Sequence, residues 1–211
     1  MELFFIHDGV LEYEDKTHTY YFNGNRCISV TQLLKELFPE KYDGIPEEIL
    51  KKAAEKGTFI HSAIELYETM GLLTEELQEF RNYLFLKNYY RFKVLENEKP
   101  IVIEYKGVFI AGRLDMVVDD KEIGDCLVDI KSTSQLDMDY LSWQLSLYHL
   151  GYEQTYHKTL NGLKAIHLKN DKRAYKNVNK IAQDELFKFL DKYVEKGKIN
   201  TYEFIWKNSK L

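Results

Sequence analysis

The chain has 211 residues, 45% hydrophobic, 14% aromatic and 30% charged, with 3 Pro and 11 Gly. This is a globular composition sufficient for one core, and it excludes a disordered chain, a repeat array and a collagen-like fibre. The net charge of −5 is uneven, with 13 Lys/Arg against 6 Asp/Glu in residues 158–211 (+7) and therefore −12 on residues 1–157. A nucleic-acid-binding surface over the whole molecule is excluded, while a basic carboxyl-terminal portion remains.

No linker, repeat or low-complexity tract divides the chain, so residues 1–211 are expected to form a single domain. Val10–Tyr13 and Thr17–Phe22 have strand composition, Asn23-Gly24 supplies a hairpin turn, and Arg26–Val30 is the returning strand. Ser29 or Thr31 caps a short helix that ends before Pro39. Pro46-Glu47-Glu48 opens another running toward Glu55, and Gly57-Thr58 is expected to break and restart it. In the restarted helix Ile60, Ile64 and Tyr67 share one stripe and His61 and Glu65 a neighbouring one.

A longer amphipathic helix is expected from about Thr74 to Glu96. Strands follow at Ile101–Tyr105, Val108–Ala111, Arg113–Val118 and Cys126–Lys131, with a helix over Asp139–His157. The chain then gives strands at Leu163–Leu168 and Ala174–Val178 and a last helix over Gln183–Glu195. A helix between strands of one sheet makes this a mixed α/β domain, with an N-terminal β-hairpin and helical segment before a central sheet flanked by helices.

The two cysteines, Cys27 and Cys126, are too few for a disulfide framework or a four-cysteine metal site, and point to a reducing compartment. No apolar run approaches 18 residues and the first residues lack a basic n-region, so no membrane association and a cytoplasmic location are expected.

Acidic residues within apolar strands need an explanation, because an unpaired buried carboxylate costs several kcal/mol. Asp115 lies in Gly112-Arg-Leu-Asp-Met-Val-Val118 and Asp129 in Leu127-Val-Asp-Ile-Lys131. Asp129 and Lys131, two apart on a strand, share a face, and Asp115 reaches the same spot from the adjacent strand. Two carboxylates and a strand carbonyl are the hard oxygen ligands of Mg2+ or Mn2+, with a lysine placed to hold water or phosphate. An isolated Asp-x-Lys is more often an ion pair on a sheet face. The chain also holds two others of similar spacing, Glu104-Tyr-Lys106 and Asp119-Asp-Lys121.

Three ordered segments together resemble the RecB-like exonuclease branch of the PD-(D/E)xK nucleases: Gly57-Thr-Phe-Ile-His61 with Glu65, Gly112-Arg-Leu-Asp115 followed by Asp129-Ile-Lys131, and Gln144-Leu-Ser-Leu-Tyr148. The resemblance implies a restriction-endonuclease-like core over residues 57–180, preceded by the hairpin and helices of 1–56 and followed by a helix and tail over 181–211. It implies a Mg2+- or Mn2+-dependent deoxyribonuclease, with exonuclease favoured over endonuclease, a phage or bacterial setting, and a recombination or replication protein as partner. His61, Asp115, Asp129, the Ile130 carbonyl and Glu104 would be metal ligands, and Lys131 would position the attacking water. Gln144 and Tyr148 would support the site or contact DNA, and Glu65 would orient His61. Lys51, Lys52, Lys56, Arg113, Lys172 and Arg173 are the expected DNA contacts. The iron–sulfur relatives carry four cysteines, so no such cluster is expected. The alternative is a catalytically inactive binding protein on the same fold, such as a phage-borne inhibitor, which the intact Asp115, Asp129 and Lys131 set disfavours.

Overall fold

The computed structural model describes residues 1–73 and 77–208. In chain order the elements are β1 (Glu2–Ile6), β2 (Gly9–Glu14), β3 (Thr19–Phe22), β4 (Asn25–Ser29), α1 (Val30–Leu34), α2 (Glu47–Met70), α3 (Gln78–Tyr90), β5 (Lys93–Tyr105), β6 (Val108–Asp120), β7 (Gly124–Lys131), α4 (Met138–Tyr156), β8 (Gly162–Lys169), β9 (Lys172–Val178) and α5 (Gln183–Asn208). Among the described residues nine strands join in one sheet, ordered β1-β2-β3-β4-β6-β7-β8-β9, with β5 also on β6. This is the expected mixed α/β architecture with its N-terminal strand hairpin. No helix among the described residues is long and apolar enough to cross a membrane.

β6 organises the sheet. One edge pairs with β5 along almost its whole length, from Tyr105↔Val108 to Lys93↔Asp119. The other edge is shared: β4 pairs with it in parallel at Ile110 and Ala111, and β7 pairs antiparallel from Met116 to Asp120. Between the two, over residues 112–115, the sheet forks. Both faces are covered, one by α1, α4 and α5 through Leu33, Leu34, Leu145, Tyr152 and Leu190, the other by α2 and α3 through Ile60, Ile64, Phe80 and Tyr83. Full burial of such side chains contributes roughly 1.5–3 kcal/mol each.

Several expected boundaries are corrected. Gly57-Thr58 does not break α2, which runs unbroken to Met70 and is closed by left-handed Gly71. A helical glycine costs about 1 kcal/mol, which the burial of Ile60, Ala63 and Ile64 just beyond it offsets. The start of the next helix near Thr74 lies outside the described residues. Its end is Tyr90, not Glu96, because Arg91 turns left-handed (φ 56) and Val94 and Glu96 already pair with β6. Strands Val108–Ala111 and Arg113–Val118 are one strand, since Gly112 stays in the ladder opposite Ile101. β1 was not foreseen, and α5 extends past Glu195 to Asn208. Ser29 does cap α1, in a reciprocal capping box with Gln32.

Candidate metal centre

Asp115 stands at the fork. Where the β6–β7 ladder stops, the Ile130 N–H donates to Asp115 Oδ2 at 2.6 Å, so the side chain supplies the acceptor that the diverging strand no longer offers. The Ile130 carbonyl in turn lies 3.1 Å from His61 Nε2. A carbonyl only accepts, so in the neutral ring the hydrogen sits on Nε2 and the lone pair on Nδ1. That Nδ1 faces Asp115 Oδ1 at 3.6 Å and Glu98 Oε1 at 4.0 Å. One imidazole lone pair and two carboxylates, with ligand atoms all within 4.8 Å of one another, form a donor set that could hold a metal ion.

Glu98 is the residue that the sequence reading missed. It sits on β5 between Asn97, paired with Met116, and Lys99, paired with Leu114, which sets it across from Asp115. Burial and the Asp115 charge push its carboxyl up to about 7, against the pull of Arg113 and His61. Glu104, the expected ligand on this strand, lies opposite Phe109 with its side chain exposed and its backbone N–H bonded to Gln154 Oε1. It takes no part in the centre.

Asp129 and Lys131 share a face of β7 as expected, with Lys131 Nζ 2.6 Å from Asp129 Oδ2. Asp129 is only 2% exposed. Burial pushes its carboxyl up, Lys131 opposes this, and the neighbouring Asp115 adds to it. Burial alone would lower Lys131, but the Asp129 and Asp115 charges outweigh it and hold the ammonium protonated. The pair adjoins the His61, Glu98 and Asp115 grouping without belonging to it.

Gln144 and Tyr148 are both buried on α4, one turn apart. Burial, with the Asp115 and Asp129 charges, keeps the Tyr148 hydroxyl protonated. Gly112 makes room for the ring: a Cβ there would meet Tyr148 Cε1 at 2.7 Å and Val30 Cγ2 at 3.3 Å. Gly112→Ala is expected to cost about 1–3 kcal/mol through overpacking and to push Tyr148 toward Asp115. Urea unfolding beside an activity assay checks both effects.

Two cavities include residues of the site. One, of about 360 Å³, is lined by Gly57, Thr58, His61, Ser62, Glu65, Glu98 and Arg113. Glu65 thus lines the cavity beside Glu98 and adds to the rise of its carboxyl; the partner that orients His61 is the Ile130 carbonyl. The other, of about 260 Å³, includes Lys131 and Gln144.

The expected DNA contacts divide. Lys51, Lys52 and Lys172 are exposed. Lys56 pairs with Glu79 at 2.6 Å, tying α2 to α3. Arg113 is held by Glu98 at 2.9 Å and Glu2 at 3.1 Å, so it positions a carboxylate of the centre. Arg173 donates to Asn82 Oδ1 and lies 3.6 Å over the Phe85 ring. A second grouping with ligand potential, His7, Asp8 and His157, lies exposed on the surface.

No protein-family model matches the chain, and no curated protein does. Among solved structures, one described as the crystal structure of SSO0001 aligns with a TM-score of 0.47 and 15% identity, covering 80% of this chain and 75% of that one.

Proposed function

We propose that the protein is a divalent-metal-dependent DNA exonuclease, acting in phage or bacterial recombination, repair or replication. The observation that carries this reading is the convergence at the fork: an oriented histidine lone pair and two carboxylates beside a buried Asp-Lys pair. His61, Glu98 and Asp115 would hold Mg2+ or Mn2+, with Asp129 alongside. The donor set fits, since hard carboxylate oxygens and one imidazole suit these ions, and clustered acids with a raised Glu98 carboxyl are relieved by a dication. When bound, the ion would lower the pKa of water and neutralise charge gathering on a scissile phosphate.

The chain's own groups do the rest. Lys131, kept protonated by Asp129, offers an N–H donor and a positive charge to water or a phosphate oxygen at the same face. Ile130 holds Asp115 with its N–H and His61 with its carbonyl, so one peptide orients two ligands. Arg113 clamps Glu98. The exposed Lys51 and Lys52 on α2, and Lys172 at the start of β9, are available to DNA phosphates.

Substituting the two strand glutamates separates the ligand assignments. Glu98→Gln is expected to weaken Mn2+ binding by roughly 10–100-fold in calorimetry, whereas Glu104→Gln leaves it unchanged. Equal effects would remove Glu98 from the centre. The activity is tested on end-labelled linear DNA and closed circular DNA with Mg2+ or Mn2+. Degradation of the linear form alone is the expected result, nicking of circles would identify an endonuclease, and cleavage of neither would leave a binding protein on this fold.

A further inference from the structure

The turn between β1 and β2 carries His7 and Asp8, and the residue that closes α4 is His157. The fold brings these three side chains together on the surface from distant parts of the chain, with ligand atoms all within 4.8 Å of one another. His7 Nδ1 lies 3.2 Å from Asp8 Oδ1, and the His7 and His157 rings meet edge to face with centroids 4.9 Å apart. Two ligands held at ~2.0–2.2 Å by a tetrahedral ion are about 3.3 Å from each other, so His7 and Asp8 already stand at chelating distance. His157 is exposed and closes the remaining gap by a small side-chain rotation.

Both segments are held in place by bonds of their own. Beside the turn, Asn23 Oδ1 accepts from the Val10 N–H at 2.9 Å, and Asn23 Nδ2 donates to the Asp8 carbonyl at 3.3 Å. Asn23 fits there because residue 9 is glycine: a Cβ would meet Asn23 Oδ1 at 2.1 Å. At the helix end, His157 is left-handed (φ 53) and its N–H donates to the Glu153 carbonyl at 3.0 Å. The three ligands therefore lose little backbone freedom on taking up an ion. The negative end of the α4 dipole lies at the same spot and favours a cation.

We propose that His7, Asp8 and His157 bind Zn2+, and that the ion clasps the N-terminal strands to α4. The donor set selects the ion: two imidazoles and one carboxylate suit Zn2+, whereas Mg2+ favours oxygen ligands. The clasp has a structural use. Among the described residues, β1–β4 join the ladder of the remaining sheet at two residue pairs, Ile28↔Ile110 and Ser29↔Ala111. Glu2, at the far end of β1 from His7, adds an ion pair to Arg113. An ion at the β1–β2 turn would tie the other end of β1 to a helix. The site is separate from the fork and does not depend on the nuclease reading.

The test titrates Zn2+, and separately Mg2+, into the isotope-labelled full chain and follows the histidine ring signals by NMR, which reads this site apart from His61. The His7 and His157 signals are expected to shift together with one apparent affinity for Zn2+ and to stay in place with Mg2+. His7→Ala should weaken the response at His157, and His157→Ala that at His7, each by roughly tenfold or more, while His18→Ala, at an exposed histidine of the same strands, changes neither. At a hundredfold excess of Zn2+ over its Kd, the thermal midpoint should rise by roughly 5–10 °C more in wild type than in either variant. No shift at the two histidines, separate affinities for them, equal shifts with Mg2+, or folded variants that respond like wild type would overturn the clasp. Zn2+ binding confined to His61 would overturn it too, and would leave the reading of the fork standing.

Discussion

Lys131→Ala and Asp129→Asn should each reduce metal-dependent DNA cleavage by at least about 10²–10³-fold, the scale of losing one preorganised charge from a reaction centre. The two act differently. Lys131→Ala removes the donor and leaves Asp129, 2% exposed, without its paired ammonium, so its carboxyl rises further and the protein loses stability as well as activity. Asp129→Asn keeps the shape and removes the larger of the two charges that hold Lys131 protonated, so the fold should survive with little change in its unfolding midpoint. Initial rates on linear DNA, with thermal unfolding of each variant, separate these effects. Full activity in both variants would remove the pair from the chemistry.

The largest effect on stability is expected away from the centre, at Asp120. This carboxylate, 3% exposed at the end of β6, accepts from Lys164 Nζ at 2.8 Å, Tyr175 hydroxyl at 2.9 Å, and the backbone N–H groups of Glu122 and Ile123 at 3.0 and 3.2 Å. Asp120→Ala strands Lys164, itself 3% exposed, inside the β6–β8–β9 region and should cost about 3–5 kcal/mol in urea unfolding. Burial pushes the Asp120 carboxyl up, but these bonds outweigh it and hold it below the usual carboxylate range. A carboxyl lowered on folding stabilises above its unfolded value, near pH 4, and that contribution is lost as pH falls. The wild type should therefore lose stability below about pH 4 more steeply than Asp120→Asn. Parallel acid limbs in the two proteins would contradict this origin.

How much of this was legible varies with the kind of signal. Punctuation read well: Ser29 before α1 and Asn23-Gly24 between β3 and β4 fall where local chemistry puts them. Asp129 and Lys131 on one face follow from the two-residue period of a strand. Gly57 misled because its local cost was weighed without the tertiary burial of Ile60 and Ile64, which outweighs it. Glu98 was within reach. Counting outward from the Lys106-Gly107 turn, both residues at positive φ, brings Glu98 opposite Asp115 and Glu104 opposite Phe109. Pro100 concealed this by suggesting a strand start, yet on an edge strand a proline costs no ladder bond. The roles of Lys56 and Arg113 were not legible, because a basic residue's partner depends on which distant acid the fold delivers, Glu79 in one case and Glu98 in the other.

The fork at residues 112–115 also bears on how ready the centre is before anything binds. A carboxylate on a loop would have several rotamers to lose on ligation, whereas Asp115 is fixed by a backbone bond that stands in for a rung of the sheet. His61 is fixed by the carbonyl of that same residue, Ile130. The conformational entropy of ordering these two ligands is thus lost during folding, not during loading, and a larger share of their binding free energy is left to hold the ion.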